Sequence, residues 1–433
     1  MLSTPSSIPA APLPLAGRRI GFYTSVVGMG GSEVVFADAM EAAHRAGAEL
    51  VCWSESGAAI RQIVASRADR LRVTHRAWPA AAAAAGPTEP AARAAPALRP
   101  RIKPLAVMWH RLVPVSVRRW AGFCQSARAF RAELRRVPVD LLFVNVNGSE
   151  AVSLAGGDGR VPVVNCYHLS FTRSSGGRLA RFGDWAARRA TMRAGALAVH
   201  VSAAARDQWS GQFGYPTDRT RVIYNGVEPT AVPDRAATRA ALGVPEGAFV
   251  FCAPGRLDDN KGHRYLLQAL QTNKEQFSNS CVLICGDGSL RPALEHFVSQ
   301  SGLGGIVRFL GWRNDLPEIL HAADCTVLSS VSSENLSVAV LESLMVGTPA
   351  VVTRVGGMAE AVREGETGYV VPPRDSAALA AAMLRLCSKQ DLAREMRAAA
   401  RRDAQVRFTR ERMMAEYVAV FAEVLGGRNR TRE

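Results

Sequence analysis

Short apolar runs that close on glycine or small polar residues, each followed by a stretch of helical spacing, recur along most of this chain. That alternation limits its fold more than any other feature. RRIGFYTSVV (Arg18–Val27) is a β-rich run, the turn GMGGSE leads into helical spacing from Val34 to Ala46, and AELVCWS reads as a second strand. Strand, glycine turn, helix and strand in this order form a unit of the doubly wound type. Further strands are expected at DLLFVNV (Asp140–Val146), VPVVNCY (Val161–Tyr167) and ALAVHVS (Ala196–Ser202), with a helix through Val117–Arg136. The alternation restarts with RVIYNGV at Arg221 and continues through FVFCAPG, CVLICGDG, IVRFLG, CTVLSS and PAVVTR. Right-handed crossovers turn such repetition into parallel sheets covered on both faces.

The length of 433 residues allows two or three domains at a soft prior of roughly 150 residues each. The two runs of alternation predict two similar α/β domains facing each other. Their expected limits are a tail over 1–16, an N-terminal domain over 17–217, a second domain over 218–404 and a closing helical segment over 405–433. Within the first domain, residues 78–104 are dominated by alanine and proline, including six alanines from Ala80 to Ala85, and read as a surface excursion. The last helix, near Thr409–Leu425, has room to return to the first domain.

The charge is lopsided. The chain carries 53 basic and 38 acidic residues, a net charge of +15, which points toward a polyanionic partner: nucleic acid, an anionic membrane or a phosphorylated substrate. Ala91–Pro138 alone holds eleven basic residues against one acid, Glu133, and so accounts for +10 of that excess. There Arg101–Trp120 interleaves cations with Leu105, Val107, Met108, Trp109, Leu112, Val113 and Trp120, a mixture suited to an anionic membrane interface. The bland reading is the polar face of a crossover helix, and Pro104 and Pro114 limit a continuous amphipathic helix. The eight cysteines are scattered, mostly inside apolar runs and without zinc-ligand spacing, so reduced buried thiols in a cytoplasmic protein are expected, with no metal site. The start lacks a basic n-region and is broken by prolines, and no apolar stretch approaches the roughly 18 to 20 residues of a spanning helix.

Ligands of open α/β sheets bind beyond the carboxyl ends of the strands. In Gly255–Gly262, a strand ending in glycine is followed by Arg256 and then by Lys261 as a helix opens. A guanidinium fork and a compact ammonium at a strand end suit a diphosphate; the bland alternative is two solvated charges. Lysine supplies only 4 of the 53 basic residues, so composition alone makes a lysine there mildly unexpected. After CTVLSS comes ENLSVAVLE, with Glu334 and Glu342 eight positions apart. If a helix opens just past Glu334, the amides of Leu336, Ser337 and Val338 are the unpaired donors of its N-terminus, a natural anion site. Carboxylates bracketing that site can accept hydrogen bonds from sugar and ribose hydroxyls. Otherwise, Glu334 is favourable acid placement near a helix start and Glu342 is solvated.

Taken together, GRLDDNKG, LICGDGSL, VRFLGW, AADCTVLSS, ENLSVAVLE, VGTPAVVTRVGGMAEAV and GETGYVVPP, in this order over about 120 residues from Gly255 to Pro373, resemble the donor domain of the retaining GT-B glycosyltransferases of family 4. The likeness is thinner in the first half. Gly30 and Gly31 resemble the family's GGxE loop, where backbone approaches the donor phosphates, and His168 stands where the family often has a histidine near donor sugar and acceptor. VIYNGV matches the segment that opens the donor domain.

The resemblance implies a GT-B fold, two Rossmann-like doubly wound parallel-sheet domains with a C-terminal helix crossing back to the first. It also implies sugar transfer from a nucleoside-diphosphate donor with retained configuration, without a metal or other cofactor. Arg256 and Lys261 would meet charge on the leaving diphosphate. Glu334 would hold the donor sugar and Glu342 the ribose, neither as a covalent nucleophile, while Gly286, Trp312, Leu336, Ser337 and Val338 would complete the donor site. Asn335 departs from the family, which usually has glycine after the first Glu. The acceptor is unread; a lipid-linked saccharide or other cell-envelope or exopolysaccharide precursor would suit peripheral attachment at the inner membrane face through 91–138. Two readings compete: a GT-B nucleotide-sugar epimerase, and a basic nucleic-acid-binding protein. The second lacks helix-turn-helix, zinc-finger or RNP-like patterns, so no nucleic acid is expected as partner.

Overall fold

The computed structural model describes residues 13–25, 31–54, 70–78, 115–146, 150–155, 160–168, 178–332 and 334–429. The Ala/Pro-rich excursion and most of the membrane-like stretch Arg101–Trp120 lie outside these residues, and so does Gly30.

Two parallel sheets form the scaffold. The first holds β1 (Arg19–Thr24), β2 (Glu49–Ser54), β3 (Thr74–Ala77), β4 (Leu141–Asn145), β5 (Val163–Tyr167), β6 (Leu197–His200) and β7 (Thr220–Val222), in the order β3-β2-β1-β4-β5-β6-β7. The second holds β8 (Phe249–Pro254), β9 (Ser280–Cys285), β10 (Val307–Gly311), β11 (Cys325–Leu328), β12 (Ala350–Thr353) and β13 (Gly368–Val371), in the order β10-β9-β8-β11-β12-β13. Every residue of β4, β5, β8, β9, β11 and β12 is buried, which is why these strands are continuous apolar runs rather than alternating ones. The chain order reverses at β1 in the first sheet and at β8 in the second. A reversal of this kind opens a crevice beyond the strand ends, between β8 and β11 in the second sheet.

Three elements differ from expectation. RVIYNGV does not open the second sheet: Thr220–Val222 pairs with Ala198–His200 as the last strand of the first. Strand β3 escapes the apolar pattern because it is a mostly exposed edge, whereas the edge strand β13 is apolar but short. THRA is mostly exposed, and Gly368–Val371 is a four-residue strand opened by a glycine.

The closing helix, Arg410–Asn429, packs against the helix Gly31–Arg45 of the first half. Its Met413, Tyr417 and Phe421 are fully buried in one cluster with Phe22, Phe36 and Phe143. Phe143 meets Phe421 and Tyr417 edge-on, with ring centroids 5.6 and 5.7 Å apart. Burial of each such aromatic contributes about 1.5–3 kcal/mol. At its first turn the buried Arg410 donates from Nε to Asp38 at 2.9 Å and from a terminal nitrogen to Glu41 at 2.5 Å. The return of the chain to its first half is therefore fixed by both packing and charge.

Candidate donor site at the second switch point

The loops after β8 and β11 interlock because these strands are neighbours. The Val331 amide donates to the Asn260 carbonyl at 2.8 Å, and Ser329 Oγ donates to the carbonyls of Lys261 and Gly262 at 3.2 and 3.1 Å. Gly262 turns the chain at φ 63°, and a Cβ there would stand 2.2 Å from the Ser329 carbonyl oxygen. Gly286, after β9, sits at φ 148°, where a Cβ would fall 2.0 Å from the Gly255 carbonyl oxygen. Both glycines let neighbouring strand ends close on each other.

This framing brings Lys261 and Glu334 together. The Lys261 ammonium donates to a Glu334 carboxylate oxygen, with both side chains largely shielded. Arg256 stays apart: its side chain is 73% exposed and its guanidinium lies 3.2 Å from Asp258. Asp258 also accepts from the Lys261 amide at 3.2 Å and so holds the loop in shape.

The helix Val338–Met345 opens at Ser337, which is extended and gives no side-chain cap. The first amides of that helix therefore have no acceptor from the Ser337 side chain. Glu342 lies one turn in, half-buried, and makes no side-chain hydrogen bond among the described residues. Burial pushes its carboxyl up to about 7. Half-burial distinguishes Glu342 from a freely solvated side chain. Leu336 is buried, and its carbonyl accepts from Asn225 Nδ2 at 2.9 Å. Trp312, just beyond β10, is 72% exposed, and its indole N–H donates to Asn314 at 3.2 Å.

From the first half, Gly31 begins its helix, and His168 closes the described part of the segment after β5. His168 is buried, its ring Nε2 3.3 Å from Cys166 Sγ, and burial lowers its pKa to about 4, so the ring is neutral at pH 7. Its main-chain carbonyl accepts from Asn335 Nδ2 at 2.8 Å. Sequence reasoning missed a second contact between the halves. The Glu360 carboxylate accepts from the amides of Ala203 and Ala204 at 2.8 and 2.7 Å, satisfying the start of the helix Ala203–Phe213. Only the glutamate of GGMAEAV was visible in the sequence, with no signal for its partner.

Among the described residues, no three His, Cys, Asp or Glu side chains gather as metal ligands. All eight cysteines are free. No described helix is long and apolar enough to cross a membrane.

Two family models account for nearly the whole chain: glycosyltransferase family 4 over residues 29–231 and glycosyl transferases group 1 over 234–403. The chain belongs to the GT-B-fold glycosyltransferases related to family 4. An uncharacterised glycosyltransferase of Methanocaldococcus jannaschii is 29% identical over 231 residues, 52% of this chain and 59% of the relative. The D-inositol 3-phosphate glycosyltransferase of Corynebacterium urealyticum is 40% identical over 162 residues, 35% of this chain and 38% of the relative. The matches thus span 59% and 38% of these curated relatives' own lengths, less than two thirds of either. The crystal structure of Anabaena HepE in complex with UDP superposes with a TM-score of 0.71 at 19% identity, covering 94% of this chain and all of that one. This likeness establishes the shared GT-B fold.

The raised Glu342 carboxyl has a consequence for ligand binding. Hydroxyls donating to it favour its ionised form, so if Glu342 accepts from a ribose, as the resemblance implies, binding should pull the pKa back down. Affinity for UDP should therefore rise roughly tenfold between about pH 6 and pH 8, beyond the nucleotide's own phosphate titration. Glu342→Gln, measured by calorimetric titration in parallel, should lack that increment. Identical pH profiles would remove the ribose contact. For folding, the linkage has the opposite sign. The stability that the protonated Glu342 contributes is complete below the ordinary carboxyl pKa and is lost as pH rises through about 7.

Proposed function

We propose that this chain transfers a sugar from a nucleoside-diphosphate donor to an acceptor, with retention of anomeric configuration and without a metal. The observation that carries the reading is the Lys261–Glu334 pair beside an uncapped helix N-terminus at the second switch point. Entry of a donor exchanges partners without leaving a charge bare: the diphosphate takes Lys261, and the sugar hydroxyls donate to Glu334. The amides at Val338 and beyond meet the phosphate, where the helix end favours negative charge. Glu342 accepts from the ribose, and the open face of Trp312 offers a platform for the base. Arg256 swings from Asp258 to serve as a second cation on the diphosphate. As the sugar–phosphate bond breaks, charge grows on the leaving oxygen beside Lys261, an interaction stronger in the transition state than in the ground state. His168, neutral, lines the acceptor side without adding a charge there.

UDP is the first nucleotide to test, because HepE was crystallised with it. Incubation with UDP-glucose, ADP-glucose and GDP-mannose, followed by NMR of released sugar or glycoside, tests the reaction. An α-configured product with release of one nucleoside diphosphate supports it. A donor converted to its epimer would replace it with the epimerase reading.

The acceptor we infer is a lipid-linked saccharide reached from the inner membrane face, the basic segment 91–138 meeting anionic headgroups. The described end of that segment, the helix Val115–Arg136, exposes Arg128, Arg135 and Arg136 while burying Phe130 and Leu134. Vesicles rich in phosphatidylglycerol should bind the protein at low salt and release it as salt rises. Absence of binding at low salt would remove the membrane contact.

A further inference from the structure

The departure at Asn335 has a structural role of its own. Asn335 is buried, and its side-chain amide crosses from the second half to the first, donating to the His168 carbonyl 167 positions away. A glycine, usual in the family at this place, could not make that bond. Its neighbours are tied down on both sides. Glu334 is held by Lys261, and the Leu336 carbonyl is held by Asn225 from the connection between the two sheets. The halves also meet where Gly357 packs on Ser202, leaving 2.4 Å between the Ser202 Cβ and any Cβ added at the glycine, and where Glu360 caps the helix Ala203–Phe213.

We propose that Asn335 is a positioning residue: its bond to the His168 carbonyl sets the span between the donor-sugar carboxylate Glu334 and the acceptor-side segment ending at His168. The proposal rests on the donor-site reading above. Alignment of two reactants is sensitive to displacements of about 1 Å, which can cost 10²-fold in rate. The main nucleotide contacts proposed above, Glu342, Lys261 and the helix start at Val338, lie on the second half. The side chain thus affects transfer and leaves nucleotide affinity untouched.

The chemistry of the bond supplies a diagnostic. Asn335→Ala deletes the donor, whereas the isosteric Asn335→Asp sets a carboxylate oxygen against a carbonyl oxygen and should be the worse of the two at neutral pH. Protonation restores an O–H donor, so Asn335→Asp should regain activity as pH falls, and Asn335→Ala should not. Full-length protein would be assayed for UDP affinity, UDP-glucose turnover from about pH 5 to pH 8, and radius of gyration by small-angle X-ray scattering with and without UDP. Both variants should bind UDP within about twofold of wild type, with turnover reduced on the order of tenfold or more. Asn335→Asp should be expanded at neutral pH and compact again in acid. Wild-type turnover in both variants, or an Asn335→Asp variant as compact and active as wild type at neutral pH, would overturn the assignment. If the wild type neither binds UDP nor turns over UDP-glucose, the donor reading fails. The scattering comparison then still decides whether Asn335 joins the halves.

Discussion

Lys261→Ala should lower turnover of the donor sugar by on the order of 10²-fold or more, with nucleotide affinity reduced far less. The reason is where the charge develops. In the proposed complex the diphosphate is already negative and is shared among Lys261, the helix amides and Arg256, but the new charge of the leaving oxygen would appear next to one shielded ammonium. Removing it also takes the cation from the shielded Glu334, which keeps a contact with Ser330 Oγ at 3.5 Å. A loss of stability alone could mimic a loss of activity, so Lys261→Met combined with Glu334→Gln is the control. That pair leaves no buried charge unpartnered and should fold like wild type yet stay slow. Turnover unchanged in Lys261→Ala, measured under saturating donor, would strip this residue of its role.

Arg410→Ala should open the closing helix. A buried ion pair broken on one side costs about 3–5 kcal/mol, because the remaining charges stay buried without compensation. Here Asp38 and Glu41, with side chains at 2% and 0% exposure, lose a shared cation, while Glu41 keeps its ion pair with Arg45. In a protein of two domains this loss is better read locally than as one unfolding midpoint. Amide exchange in Arg410–Asn429 should accelerate by roughly 10²-fold or more, with smaller changes in the second sheet. Arg410→Met with Asp38→Leu and Glu41→Met, which replaces the triad by apolar groups of similar size, should recover much of the protection. Wild-type exchange rates in Arg410→Ala would mean that the aromatic packing of Tyr417 and Phe421 holds the helix without the charges.

The alternation of buried strands and helices was readable because parallel sheets bury both faces, so β4, β5, β8, β9, β11 and β12 stand out as apolar runs. Edge strands carry no such signature, which is why THRA and the seventh strand at Thr220–Val222 needed the structure. At the site, spacing and resemblance bring out Lys261, Glu334 and Glu342, and the geometry joins the first two. Arg256 illustrates the limit. Two cations five positions apart look equivalent in sequence, but one is shielded against a glutamate and the other is exposed on Asp258. The contacts between the halves were illegible, since Asn335 with His168 and Glu360 with Ala203 are separated by 167 and 157 positions and carry no periodicity. A carboxyl raised to about 7, as at Glu342, depends on burial, which no local pattern encodes.

Calorimetric titration of UDP, ADP and GDP into the full-length protein tests most directly the nucleoside-diphosphate site proposed at the crevice between β8 and β11. One of the three should bind with unit stoichiometry and raise the melting temperature by mass action, and Glu342→Ala should weaken it. Failure of all three to bind, or binding that Glu342→Ala and Lys261→Ala leave untouched, would contradict it.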